Sequence, residues 1–351
     1  MRISIPTITL DPLARSVPVL PLEAAIERVA EFLSAGSVSV LTGAGVSVDS
    51  GIRAYRGKNG RYLNPNYHPI FYQELVDPSP KGYSFRQRYW ARSYLGWPAV
   101  RFVHPNPTHY TLSALQYSNV VGSIITQNVD GLHHRATSSI WGSIEREKRI
   151  LELHGRLRTV SCSHGHTVPR PEFQDRISAL NPHWKSYADE LMETGSEPRT
   201  NPDGDVELQG RSFDDFIVPE CETCQKQGLN LIKKSIMKPD VIFFGESIAP
   251  KVKEESFRMV DESNRLLVIG TTLATYSAFR IVRHALDTQK DVLLLNVGPT
   301  RADALGVEKI EWESGKVLKE ATTLALRNRL DRDAELRKLL NSGAVAPPLI
   351  D

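Results

Sequence analysis

Three groups of residues in this chain have the types and spacing to do chemistry. Gly43-Ala44-Gly45-Val46-Ser47, directly behind the β-branched run Val38-Ser39-Val40, reads as a strand feeding a phosphate-holding turn. Glycines there let backbone N–H groups approach a pyrophosphate, and the helix that follows offers its positive end to the same anion. The usual dehydrogenase fingerprint, G-x-G-x-x-G, needs a third glycine where Val48 stands, so the pattern is not that of ordinary hydride transfer. His154, in Glu152-Leu153-His154-Gly155, carries an imidazole that titrates near neutrality, the range a proton-transfer group needs. Cys221-Glu222-Thr223-Cys224 has the two-residue spacing that brings two thiolates to one tetrahedral metal ion, and Cys162-Ser163-His164-Gly165-His166 offers the other half.

These groups need elements to position them. Three further segments read as strands ending in polar residues: Val120 to Ile125 before Thr126-Gln127-Asn128-Val129-Asp130, Arg265 to Ile269 before Gly270-Thr271-Thr272, and Val292 to Leu295 before Asn296-Val297-Gly298. In a parallel sheet, ligands collect beyond the carboxyl ends of the strands, so four such tips make one crevice, and its expected occupant is a dinucleotide. Leu22, Ala25, Ile26, Val29 and Leu33 recur at helical spacing between Pro21 and Gly36. Phe279, Val282 and Leu286 predict a helix between the last two strands, giving a right-handed crossover. Residues 53–118, aromatic, Arg-rich and proline-punctuated, read as a helical insertion, on which Arg86, Arg88 and Arg92 mark a solvated face. Gly195 to Gly210 reads as a surface excursion, and the residues after about 316 as a terminal helix coating the sheet.

Composition sets the outer limits. With 351 residues, 40% of them hydrophobic, the chain can bury one large core plus a smaller module. The net charge of +2 is a near cancellation of 43 basic and 41 acidic residues, which leaves no nucleic-acid footprint. No apolar run approaches a membrane span, so a soluble protein is expected. Three cysteines are too few and too oddly spaced for a disulfide framework, which points to a reducing compartment.

Six motifs in order, Gly43-Ala44-Gly45-x-Ser47-x-x-Ser50-Gly51-Ile52, Tyr55-Arg56-Gly57, Thr126-Gln127-Asn128-Val129-Asp130, Leu153-His154-Gly155, Lys238-Pro239-Asp240-Val241-Ile242-Phe243-Phe244-Gly245-Glu246 and Gly270-Thr271-Thr272-Leu273, resemble those of the sirtuins, NAD-dependent protein lysine deacylases. Arg86 to Arg92, Gly96-Trp97-Pro98, Pro202 to Val206, Gly298 to Arg301 and Pro348 to Asp351 resemble the class II, mitochondrial-type branch.

The resemblance implies a Rossmann-like doubly wound parallel sheet with a smaller zinc-ribbon-type module and a helical insertion. On that reading, residues 1–20 are an N-terminal extension with a possible targeting segment. Residues 21–52, 119–154 and 238–351 form the NAD-binding domain, 53–118 the cofactor loop and insertion, and 155–237 the zinc module.

The resemblance also assigns roles. His154 is the general base on the ribose hydroxyls, Asn128 and Asp130 orient the carboxamide for departure, and Gln127 touches the same ribose. Gly43, Ala44, Gly45, Ser47, Gly270, Thr271, Thr272, Asn296 and Gly298 surround the phosphates and adenosine, with Tyr55 and Arg56 on a loop that closes over them. Val241, Phe244, Gly245 and Glu246 pair with a substrate peptide. Cys162, His164, Cys221 and Cys224 hold a structural zinc, with His166 as the rival to His164. The family commonly carries Pro-Asp before the aromatic-Arg pair of the cofactor loop, where this chain has Arg53-Ala54. The partners implied are acyl-lysine proteins, with no nucleic acid and no membrane, and the chain is expected to be a monomer in the mitochondrial matrix. Two alternatives remain on the same fold: protein mono-ADP-ribosyl transfer, and NAD sensing without turnover.

Overall fold

Runs of β-branched and aliphatic residues form the strands of the computed structural model, which describes residues 19–56, 60, 69–194, 206, 212–229 and 235–347. Among these residues nine strands follow in chain order: β1 (Val38–Thr42), β2 (Val121–Thr126), β3 (Ile150–Glu152), β4 (Gly155–Cys162), β5 (Thr167–Pro169), β6 (Met237–Val241), β7 (Arg265–Ile269), β8 (Asp291–Leu295) and β9 (Glu308–Ile310). Six of them make one sheet in the order β3-β2-β1-β7-β8-β9, and every pairing in it is parallel. The winding reverses between β1 and β7, the switch point at which such sheets open a crevice.

Alternate residues on these strands face opposite sides of the sheet. Val38, Val40, Leu267, Ile269, Leu293 and Leu295 pack with helices Leu22–Ser34, Pro107–Tyr117 and Ser314–Ala325. Leu41, Leu266, Val268 and Leu294 pack with helices Pro250–Asp261 and Tyr276–Asp287 on the other side. Each fully buried Leu, Ile or Val contributes about 2 kcal/mol. The two covered faces make the sheet a rigid mount for the loops at its carboxyl end.

The other three strands form an antiparallel sheet in the order β5-β4-β6. Its core includes Trp90 and Tyr94 of helix Pro80–Phe102, Phe173 and Ile177 of helix Arg170–Leu180, and Trp184 of helix Pro182–Thr194. Two of the expected boundaries move as a result. Helix Pro107–Tyr117 belongs to the core of the large sheet, so the insertion ends before it rather than at 118. Strand β6 pairs with β4, so the small module continues through Val241 rather than stopping at 237. The insertion and the small module share one core.

The expectation of a solvated arginine face also changes. Arg86 is buried and donates to the Leu75 and Asp77 carbonyls, while Arg92 is half-buried and donates to the Val206 carbonyl. Among the described residues, no helix is long and apolar enough to cross a membrane. Residues 1–18, most of the Gly195 to Gly210 excursion, Gly57 and Pro348 to Asp351 lie outside the described residues.

Candidate active site

The β1 and β7 tips meet closely because three glycines allow it. A side-chain carbon on Gly45 would lie 2.8 Å from both Gly270 Cα and Gly270 O, and one on Gly43 would lie 2.5 Å from Thr271 Cβ. The Gly43 and Gly45 N–H groups donate to the Ile269 and Gly270 carbonyls at 3.1 and 2.9 Å. In this structure the two amides tie the strand tips together. The helix that follows, Ala44–Ser50, is a 3-10 helix. Beyond Gly270, Leu273 has φ 54°, a left-handed conformation costing a side-chain-bearing residue about 1–2 kcal/mol. Its buried side chain and a 3.1 Å bond from its N–H to Thr271 Oγ1 hold it there.

The β2 tip carries a buried polar network. Asn128 Nδ2 donates to Gly43 O and to Ser47 Oγ, both at 3.1 Å, and Ser47 Oγ donates to Asp130 Oδ2 at 2.8 Å. Burial pushes the Asp130 carboxyl up from its ordinary range, opposed by the Leu132 N–H and by Ser47. Gln127 Nε2 reaches Thr271 Oγ1 at 2.8 Å, bridging β2 to the β7 loop.

Sequence reasoning gave no role to two histidines behind this network. His109 Nε2 stands 3.4 Å from Ser47 Oγ, and His133 Nε2 stands 3.0 Å from Thr42 Oγ1, with the two rings 4.8 Å apart. His109 is placed by Asn106, whose Oδ1 lies 3.0 Å from His109 Nδ1 and caps helix Pro107–Tyr117. An Asn three residues before a His at a helix start is the signal that could have found it.

His154 follows β3 in a turn closed by Gly155, at φ 80°, where an added side-chain carbon would fall 1.8 Å from Asp240 O. Only glycine permits β4 to start there against β6. The half-buried His154 ring places Nε2 2.8 Å from Ser277 Oγ. Burial lowers its pKa to about 4; a hydrogen bond to the Gln127 backbone opposes this, and the Arg280 charge adds to it. The imidazole is therefore neutral at physiological pH, the state in which it can accept a proton.

The other expected residues take local roles in this structure. Phe244 O accepts from Tyr72 N at 2.9 Å, and Gly245 O from Gln73 Nε2 at 3.1 Å. Glu246 accepts from Phe243 N at 2.9 Å and pairs with Lys238 at 3.2 Å. Val241 is paired with Gly155 in the small sheet. Asn296 Nδ2 braces its own turn on Val297 O and Gly298 O. Tyr55 and Arg56 stand at the edge of the described loop. A cavity of about 390 Å³ adjoins Asp130, lined by Trp97, Val100 and Leu157 and by Arg101, Arg135 and Arg146. Arg86, Arg88 and Arg92 do not line it.

In the small module, Cys162, His166, Cys221 and Cys224 bring four ligand atoms within 4.8 Å of one another. Tetrahedral zinc at ordinary bond lengths sets S···S near ~3.8 Å and S···N near ~3.5 Å. The Cys162–Cys224 sulfurs are 3.7 Å apart, and His166 Nδ1 lies 3.5, 3.5 and 3.3 Å from the sulfurs of Cys162, Cys221 and Cys224. Burial and the neighbouring Cys221 and Cys162 push the Cys224 thiol up to about 12, so three thiolates coexist there only around a cation. The set fits zinc. The expected ligand set is corrected from His164 to His166, for a reason of register. Cys162 N donates to His166 O across the β4–β5 hairpin, which places residues 162 and 166 opposite each other. His164 sits in the turn, with Nδ1 3.3 Å from Cys224 Sγ.

A doubly wound parallel sheet with a neutral imidazole, amides and a carboxylate along its carboxyl edge defines the class: a dinucleotide-binding enzyme fold. The Sir2 family model matches residues 43–277. The NAD-dependent protein deacylase SIR4 of Batrachochytrium dendrobatidis is 40% identical over 290 residues, covering 81% of this chain and 88% of that one. The human NAD-dependent protein lipoamidase sirtuin-4, mitochondrial, is 36% identical over 80% of each chain. A solved Sir2 enzyme structure superimposes with a TM-score of 0.58 at 25% identity, covering 88% of this chain and 100% of the other. The chain belongs to the Sir2 family.

Proposed function

We propose that this chain is an NAD-dependent protein lysine deacylase that moves the acyl group from lysine to ADP-ribose. The observation that carries this reading is neutral His154, bonded to Ser277 and to the Gln127 backbone, at the same carboxyl edge of the sheet as the linked Asn128, Ser47 and Asp130. The residues present fit NAD, because amide, hydroxyl and carboxylate groups converge beyond the strand ends beside a ring able to take a proton. When bound, NAD supplies a glycosidic bond to nicotinamide whose cleavage opens the ribose to the acyl oxygen.

Asn128 and Asp130 would hold the carboxamide, and Gln127 the ribose. His154 Nε2 would accept the proton of a ribose hydroxyl. Gly43, Ala44, Gly45, Ser47, Gly270, Thr271, Thr272, Asn296 and Gly298 would lie along the phosphates and adenosine, with Tyr55 and Arg56 closing over them. Val241, Phe244, Gly245 and Glu246 would offer main chain to the substrate peptide, a mode largely indifferent to its sequence. Zinc at Cys162, His166, Cys221 and Cys224 would be structural, since four protein ligands leave no position for a catalytic water. The mitochondrial name of the human relative supports the same address here, and the working unit we propose is the monomer.

The test is nicotinamide release from NAD with acetyl-, glutaryl- and lipoyl-lysine peptides. Turnover should yield acyl-ADP-ribose, and His154→Ala should lower it by about 10²–10⁴-fold. Mass added to the target protein instead would favour ADP-ribosyl transfer, and binding of NAD without nicotinamide release would refute turnover.

A further inference from the structure

The hydroxyl facing His154 comes from an element that none of the assignments above includes. Ser277 lies in the first turn of helix Tyr276–Asp287, which begins where the β7 loop ends. That loop is fixed to the β2 tip twice, by Gln127 Nε2 on Thr271 Oγ1 at 2.8 Å and by Thr275 Oγ1 on Gln127 Oε1 at 3.4 Å. Ser277 Oγ therefore has a defined place 2.8 Å from His154 Nε2. The ring's other hydrogen bond is to the backbone of Gln127, the residue that the loop grips.

A neutral imidazole has one N–H and one lone pair. The Gln127 N–H already donates to Thr42 O, which leaves its carbonyl for the ring; a carbonyl can only accept, so the ring N–H belongs on the Gln127 side and the lone pair of Nε2 faces Ser277. A serine hydroxyl can donate to that lone pair and, once the nitrogen is protonated, rotate to accept from it. We infer that Ser277 is a positioning residue for His154: together with the Gln127 carbonyl it holds the neutral ring as the tautomer that carries its lone pair on Nε2. In the proton transfer, the Ser277 O–H first turns away from Nε2; the O–H bond of the incoming hydroxyl then breaks, leaving its electron pair on that oxygen, and an N–H bond forms at Nε2. The Ser277 oxygen can then share the new N–H as an acceptor. Its proton is never lost, so Ser277 is neither acid nor base.

The inference rests on the deacylase reading for its effect on rate, but not for its structural content. The experiment uses the full chain with ¹⁵N-labelled histidine. Long-range ¹H–¹⁵N spectra at pH 7.5, with His154→Gln to assign the signals, should show His154 as a single Nδ1–H tautomer. Ser277→Ala should convert it to a mixture. With NAD and an acyl-lysine peptide, Ser277→Ala should lower kcat on the order of tenfold with KM for NAD nearly unchanged, and Ser277→Thr, which keeps the hydroxyl, should recover most of the rate. An Nε2–H tautomer in the parent protein, or an Ala variant that keeps the parent tautomer, overturns the inference whatever the rates. Absence of nicotinamide release from the parent protein would instead count against the deacylase reading and leave the tautomer result standing.

Discussion

Moderate acid should destabilise this protein through two buried histidines before most of its carboxylates are neutralised. His109 and His133 are 0% and 2% exposed, and each is committed to a neutral partner, Asn106 and Thr42 respectively. Burial holds His109 well below the ordinary histidine range and lowers His133 to about 3. The unfolded chain protonates these rings near pH 6.5, whereas the folded chain keeps them neutral to much lower pH. Between those values the unfolded state binds more protons, so stability falls as pH falls and is flat above about 7. At pH 5 the His133 ring alone removes about 2 kcal/mol relative to neutral pH, and His109, His134 and His154, all lowered mainly by burial, act in the same direction. About 2 kcal/mol is already a large part of the roughly 5–15 kcal/mol that a folded domain has.

Asp130 works in the opposite direction, because burial raises its pKa and the folded form gains a proton first as pH drops. It acts in the carboxylate range, at the lower end of this window. Urea unfolding followed by tryptophan fluorescence at pH 7.5, 6.5, 5.5 and 5.0 measures the slope. His133→Asn keeps a polar group beside Thr42 and removes one titration, so it should lose about 2 kcal/mol less than the parent between pH 7.5 and 5. A parent protein that loses under about 1 kcal/mol over this range, or a variant with the parent slope, would refute the assignment of these rings as neutral and buried.

Three other outcomes follow from the packing. Gly45→Ala should cost about 1–3 kcal/mol and weaken NAD binding, because its new carbon meets Gly270 backbone at 2.8 Å. Gly122→Ala, with nothing within 4 Å, is the matched control, and equal urea midpoints for the two would defeat the argument. Bound zinc, counted by plasma mass spectrometry, should fall in His166→Ala and persist in His164→Ala; the reverse order would restore His164 as the ligand. Arg170 is fully buried between Trp90 and Trp97, 5.0 and 5.1 Å from their rings, and donates to Ser93 and Gln174. Since its hydrogen-bond partners are neutral, Arg170→Met should stay within about 1 kcal/mol of the parent while Arg170→Ala loses about 3 kcal/mol, and similar melting of both would show that the charge, not the volume, matters.

The large sheet was legible because its signals are local. Runs such as Arg265 to Ile269 and Val292 to Leu295 have the length and β-branching of buried strands, and the polar residues behind them had nowhere to sit but the sheet's carboxyl edge. What the sequence hid depends on which strand lies beside which. The glycines at 43 and 45 read as a place for an anion, yet only the β1–β7 adjacency shows that their amides already meet Ile269 and Gly270. Arg86 read as solvated because its partners, the Leu75 and Asp77 carbonyls, lie at and beyond the end of a four-residue helix too short to show periodicity. The metal ligand was missed by a hairpin's arithmetic. Resemblance to the family's Cys-Gly favoured His164-Gly165, one residue short of knuckle spacing, whereas the antiparallel return from β4 to β5 places the residue four positions after Cys162 directly across the strand. Ser277 was hidden for the same kind of reason, since 123 residues separate it from the ring it faces and only the crossover from β7 brings that helix end to the β3 turn.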